Sequence, residues 1–150
     1  NAMKFLSRYI KEDSKLDFVC GTVKKDGRIY GGFNTEKIMI KFNIIPSSVV
    51  GFFIKRSSLK KVGYLNLKYK IQSDYDLLYR MIVKHNLKGI NSSGSEVFGD
   101  LGSSGFSKKH SFFKTLFNEI RIRNDNGQNK ISLIYIIIGR SFKKFLNNLF

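Results

Sequence analysis

Ile71-Gln72-Ser73-Asp74-Tyr75-Asp76-Leu77-Leu78-Tyr79-Arg80 is the stretch on which the reading of this chain turns. Two carboxylates, Asp74 and Asp76, open a segment in which Leu77, Leu78, Met81 and Ile82 share one face, predicting a helix over 75–84. Ser73 and Asp74 are also preferred N-cap types, and acids are common in a first helical turn for structural reasons alone. Just upstream, Lys61-Val-Gly-Tyr-Leu65 reads as a glycine turn. Before it, Ser57–Val62 reads as a short capped helix stopped by Gly63, and Val49–Lys55 as a strand. Strand, turn and acid-opened helix in that order predict an α/β fold.

Working outward from Met3, Phe5, Leu6, Tyr9 and Ile10 fall at helical spacing, predicting a short helix that ends near Asp13-Ser14. Leu16–Val23 is apolar and β-rich, a buried strand. Lys24-Lys-Asp-Gly-Arg28 carries a hairpin signal with Arg28–Gly31 as the return strand, and Gly31-Gly32 as a turn. Thr35 caps an expected helix over 36–43, and Pro46 starts an extended segment. Residues 92–107, rich in Gly and Ser, give the longest loop signal, of the kind that carries function. Phe112–Arg123 returns to helix. Last, Ile131, Ile134, Tyr135, Ile138, Phe142, Phe145, Leu146 and Leu149 form one helical stripe, punctuated by Arg140, Lys143 and Lys144. The stripe either packs on the domain or a second copy, or lies in a membrane interface. Its apolar run is far short of the roughly 20 residues a span requires.

Composition sets outer limits. With 150 residues, 42% hydrophobic and 14% aromatic, the chain belongs with globular domains rather than disordered ones. Asn1-Ala2 reads as a tag remnant, 3–127 as one domain and 128–150 as an amphipathic helical tail. No secretory signal follows Met3. The single cysteine, Cys20, lies in an apolar run, reads as a buried structural thiol, and makes reducing cytoplasm the expected compartment. His85 and His110 lack metal-ligand spacing and read as surface residues. A net charge of +16 points to an anionic partner: nucleic acid, a phospholipid surface or a phosphorylated substrate. Lys68-Tyr-Lys70 and Phe112-Phe-Lys114 interleave base and ring as single-strand binders do, although scattered phenylalanines are more simply core.

Several of these pieces together resemble the acceptor-side half of a family 2 glycosyltransferase. Asp17-Phe-Val-Cys-Gly resembles the strand following the family's donor region, and Phe52–Ser57 the strand leading to the acceptor side. Val62-Gly-Tyr64 is similar to the turn after it. Ser73-Asp-Tyr-Asp-Leu77 with Arg80 is similar to the start of the family's acidic helix. Gly102-Ser-Ser-Gly-Phe-Ser107 resembles the flexible segment over the acceptor. The pieces keep family order from about Met3 to Gly127.

The resemblance implies a partial GT-A-like mixed sheet with flanking helices and a C-terminal amphipathic helix. It implies Asp74 as the base that deprotonates an acceptor hydroxyl during inverting transfer. A helix N-terminus suits that role, because the macrodipole favours negative charge there. Asp76, Arg80 and Ser73 would orient the acceptor or hold the site, and Gly102, Ser103 and Ser107 would cover it. Two departures stand out: Ser73 where relatives carry Glu or Ala, and Ser47-Ser48 where many carry a His after the proline.

The family's donor site needs a β-α-β unit and a metal-binding Asp-x-Asp, and the few residues before Asp17 are too short for either. The expectation is therefore a half-enzyme with no cofactor of its own. Mn²⁺ or Mg²⁺ with a nucleotide-sugar would enter only through a separately supplied donor half. The expected partners are that half or a second copy, a saccharide or lipid-linked acceptor, and an anionic membrane at the inner face. Two other classes remain: a non-catalytic accessory subunit binding a glycan or protein, and, on charge alone, a nucleic-acid binder.

Overall fold

The computed structural model describes residues 2–32, 50–102 and 110–149. The expected helix over 36–43, Pro46, Ser47-Ser48, Ser103 and Ser107 lie outside the described residues.

Helix α1 (Ala2–Glu12) begins at Ala2, which packs with Phe5 and Leu6 against a buried cluster of Tyr9, Leu16, Val19 and Phe98. The apolar run after it forms two strands where one was expected: β1 (Phe18–Cys20) and β2 (Thr22–Lys25). The break is Gly21. Its N–H donates to the Gly51 carbonyl at 2.6 Å, and a β-carbon there would meet the Phe98 ring and sit 2.9 Å from that carbonyl oxygen. Only a residue without a side chain lets the two segments cross so closely.

Strand β3 (Arg28–Tyr30) returns antiparallel to β2, with Val23 opposite Tyr30. Asp26 (φ 49°) and Gly27 (φ 74°) both take the positive φ that a two-residue hairpin turn requires. Strand β4 (Phe52–Ile54) pairs antiparallel with β1, placing Phe53 opposite Val19. Helix α2 (Arg56–Val62) follows and ends at Gly63, whose φ of 88° turns the chain out. Helix α3 (Ser73–Tyr79) widens into a π-helical turn over Arg80–Lys84, marked by the His85 N–H to Arg80 carbonyl bond.

The Gly/Ser-rich region expected to be a loop holds a strand. Strand β5 (Gly89–Asn91) pairs parallel with β1, and β6 (Val97–Leu101) pairs parallel with β2. Val97, Phe98 and Leu101 supply the apolar side chains that the surrounding serines obscured. The described strands thus make two small mixed sheets, ordered β4-β1-β5 and β3-β2-β6, in place of one. The chain is α/β.

Strand β1 shows why its sequence is continuously apolar. Phe18 and Cys20 face a core with Val62, Leu78, Tyr79, Met81 and Ile122, while Val19 faces Tyr9, Leu16 and Phe98 on the other side. Alternation places successive side chains on opposite faces, and both faces are covered. Cys20 is fully buried.

Helix α4 (Phe112–Asp125) starts at Ser111, whose Oγ accepts from the Lys114 N–H at 3.3 Å. Helix α5 (Lys130–Leu149) folds back on it through Leu133 and Ile136, buried with Leu116. The side that packs is the one opposite the predicted stripe. Ile131, Ile134, Tyr135, Ile138, Phe142 and Phe145 are all exposed. The periodicity was real, but the domain takes Leu133, Ile136 and Arg140. Among the described residues, no helix is long and apolar enough to cross a membrane.

Candidate functional site

The chain enters α3 through Gln72, which adopts the left-handed conformation at φ 66°, ψ 29° and caps the helix without a side-chain bond. Neither Ser73 nor Asp74 is the cap; Ser73 is the first helical residue, and both are half-buried. A non-glycine residue in that region costs about 1–3 kcal/mol and persists only where its surroundings impose it. The Gln72 Oε1 is buried with no hydrogen-bond partner among the described residues.

The two acids of the motif differ in kind. Asp76 is 1% exposed, its Oδ2 accepts from Arg80 Nε at 2.9 Å, and its Oδ1 accepts from Asn126 Nδ2 at 2.9 Å. Arg80 also donates from Nη1 to the carbonyls of Val62 and Gly63 and from Nη2 to that of Tyr64. These are carbonyls at and beyond the C-terminus of α2, of the sort that a helix end leaves unpaired. Asp76 and Arg80 therefore join α3 to the Gly63-Tyr64 turn and to the end of α4. With both oxygens engaged inside the protein, Asp76 has no face to offer an acceptor.

Asp74 behaves otherwise. Its Oδ1 accepts from the adjacent Tyr75 N–H at 2.9 Å, and it has no other hydrogen-bond or ion-pair partner among the described residues. The segment leading to it is held at its far end as well. Asp125 Oδ2 accepts from Lys68 Nζ and from Tyr69 Oη, each at 2.6 Å. Lys68 and then Tyr69 hold the Asp125 carboxyl below its usual range, while burial first, then Asp125, pushes the Tyr69 phenol up. Tyr69 is buried, so the Lys68-Tyr-Lys70 run has no ring to stack on a base.

Behind α3 lies a polar network that periodicity did not reveal. Glu119 and Arg123, both fully buried, pair at 3.0 Å within α4. Arg140 of α5 reaches Glu119 Oε2 at 2.5 Å, and the Tyr75 hydroxyl donates to Oε1 at 3.2 Å. Arg123 Nη1 and the Tyr79 hydroxyl both donate to Gln128 Oε1, at 2.9 and 2.8 Å. Desolvation raises the Glu119 carboxyl, opposed by Arg123 and then Arg140. Burial and then Glu119 push the Tyr75 phenol up. The only sequence signal was an i, i+4 spacing of Glu and Arg, which usually marks a solvated pair.

Asp76 is saturated by Arg80 and Asn126, and among the described residues no three His, Cys, Asp or Glu side chains assemble. His85 and His110 are half-buried rather than at the surface. Gly102 follows β6 directly and is exposed, and no hydrogen bond among the described residues links it to Asp74. A cavity of about 190 Å³ lies among Leu6, Ile10, Phe18, Val19, Phe53 and Ile54; Asp74 is not in its wall. Comparison with protein families, curated proteins and solved structures finds no match to this chain.

Proposed function

We propose that the chain is the acceptor-side half of a glycosyltransferase, with Asp74 as the base for inverting transfer from a nucleotide-sugar to a saccharide or lipid-linked acceptor. The observation that carries this reading is the contrast between the two acids. Asp76 is consumed by structure, whereas Asp74 stands at the mouth of α3 with an uncommitted carboxylate oxygen on a braced backbone. A general base needs that combination: a fixed position and an oxygen free to take a proton. Arg80 and Asp76 are positioning residues in this scheme, since they act through the backbone that carries Asp74. In the transfer, the acceptor hydroxyl gives its proton to Asp74 as its oxygen bonds to the anomeric carbon, and the nucleoside diphosphate leaves with the electron pair of the broken bond. In this reading the nucleoside diphosphate and its ion are held by a separately supplied donor-binding half.

The test begins with calorimetric titration of the chain with UDP and Mn²⁺, GDP serving as comparison, followed by sugar transfer to mixed saccharide acceptors with a donor-binding half supplied if none binds. Asp74→Asn is expected to slow transfer by 10²–10⁴-fold with little change in acceptor affinity. Full transfer by Asp74→Asn would remove the mechanism.

A further inference from the structure

We propose that the outward face of α5 is a docking surface for an anionic lipid bilayer, against which the helix lies in the plane of the interface. The inference is independent of Asp74 and of sugar transfer.

The stripe is continuous. At 3.6 residues per turn, Ile131, Ile134, Tyr135, Ile138, Phe142, Phe145 and Leu146 fall within an arc of roughly 120°, centred opposite Leu133, Ile136 and Arg140. Five of the seven are 60–67% exposed, and the helix carries them along a length of about 23 Å. From Phe142 to Asn147 every residue is exposed, so the second half of α5 stands clear of the domain. Helix α4 also exposes Phe113 and Phe117, at 71% and 70%. Monomeric proteins rarely leave such a set uncovered.

Charge selects the occupant. Lys130 and Lys143 flank the stripe, roughly 100–120° to either side, with Lys144 behind them. That is where lysine stems lie along an apolar surface while their ammonium groups reach outward. No acidic residue occurs in α5 or anywhere after Asp125. A second copy would set the same lysines against each other, on chains that each carry +16. Anionic headgroups supply the missing negative charge, and an acyl boundary accepts a straight, convex ridge without needing a groove of matching shape. Phenylalanine, tyrosine and isoleucine on one face with lysine at the flanks is the composition of helices that bind in this way.

The experiment is co-sedimentation of the full chain with vesicles of phosphatidylglycerol and phosphatidylcholine, 1:1, against phosphatidylcholine alone. Partition is expected to be at least tenfold stronger on the anionic vesicles and to weaken in 0.5 M salt. The double variant Ile138→Asp, Phe142→Asp, at two exposed positions, is expected to lose at least tenfold with unchanged circular dichroism. Should it misfold, Lys143→Glu with Lys144→Glu gives a second reading, expected to fall likewise. The chain has no tryptophan. Phe142→Trp is therefore a lone reporter, whose emission should shift to the blue on anionic vesicles and be quenched by brominated lipid. Absence of partition, or equal partition by the wild type and both sets of variants, overturns the proposal. So does a dimer abolished by the Asp pair in the absence of lipid binding, which would make a second copy the occupant. Asp74→Asn should bind vesicles as the wild type does, so failure here and failure of the catalytic reading are separable.

Discussion

Arg80 sits one helical turn beyond Asp76 and binds it, Nε to Oδ2, at 2.9 Å, while its two terminal nitrogens hold carbonyls at and just beyond the end of α2. One guanidinium thus satisfies the acid of one helix and the loose end of another. The consequence is a division of labour within Asp74-Tyr75-Asp76: the second acid builds the frame and the first stands in it.

That division has a measurable form. Asp76→Ala and Arg80→Ala each leave a partner charge poorly compensated in a site that water barely reaches, and each should cost about 3 kcal/mol. Asp74→Asn should stay within about 0.5 kcal/mol, as expected where no partner is lost. Urea unfolding midpoints check this. A loss at Asp74 as large as that at Asp76 would mean that both acids are structural.

The buried Glu119 network gives a second, sharper case. Removing the carboxylate alone, as in Glu119→Leu, leaves Arg123 inside the protein without its main counter-charge, at a cost of about 3–5 kcal/mol. Removing the pair together, as in Glu119→Leu with Arg123→Met, should recover part of that, because burying two ions is itself expensive, while Arg140 still loses Glu119. A double-mutant cycle from chemical denaturation reads the difference. If the losses simply add, the two side chains do not act as a pair.

How far the sequence discloses this molecule depends on what each signal measures. The hairpin at Asp26-Gly27 was legible because a two-residue turn demands positive φ and that dipeptide accepts it. The start of α3 was legible within two residues, and the stripe on α5 was read correctly as periodic. Which side of α5 the domain would take was not legible, since periodicity reports that a face exists and says nothing of its neighbour. Strand β6 was hidden because Gly99, Gly102 and the serines around Val97 and Phe98 carry loop chemistry locally, and only parallel pairing with β2 turns Val97–Leu101 into a strand. The contrast between Asp74 and Asp76 was equally invisible: it depends on Asn126, fifty residues away in sequence.

Acid sensitivity should trace to Asp125 in part. Lys68 and Tyr69 depress its carboxyl in the folded protein, so the stability it contributes is complete above the unfolded value of about 4 and is lost as pH falls through the lower folded one. Asp13, held down by Lys88, and Glu96, held down by Tyr9 and Arg8, act in the same direction. Glu119 opposes them, since its raised carboxyl favours the folded state more at low pH than at high. Thermal unfolding of Asp125→Asn between pH 5 and pH 2.5 should show a smaller fall in Tm than the wild type. Parallel curves would mean that the contacts of Asp125 contribute nothing to the acid limb.

The crossing of Gly21 and Gly51 is a tight packing constraint between the two sheets. A β-carbon on Gly51 would lie 2.6 Å from the Gly21 carbonyl oxygen and 2.9 Å from Val23 Cγ1, and one on Gly21 would meet the Phe98 ring. Backbone on one side and a buried ring on the other leave little room to yield, so Gly21→Ala and Gly51→Ala should each cost about 1–3 kcal/mol. Gly94 has no neighbour within 4 Å of such a carbon and no positive φ. Gly94→Ala should therefore be neutral, or stabilising by about 0.4–1 kcal/mol through the unfolded chain. Guanidinium denaturation of the three variants decides the matter. Equal stability of Gly21→Ala and Gly94→Ala would show that the two sheets can part at Gly21 without loss, and that the break between β1 and β2 has another cause.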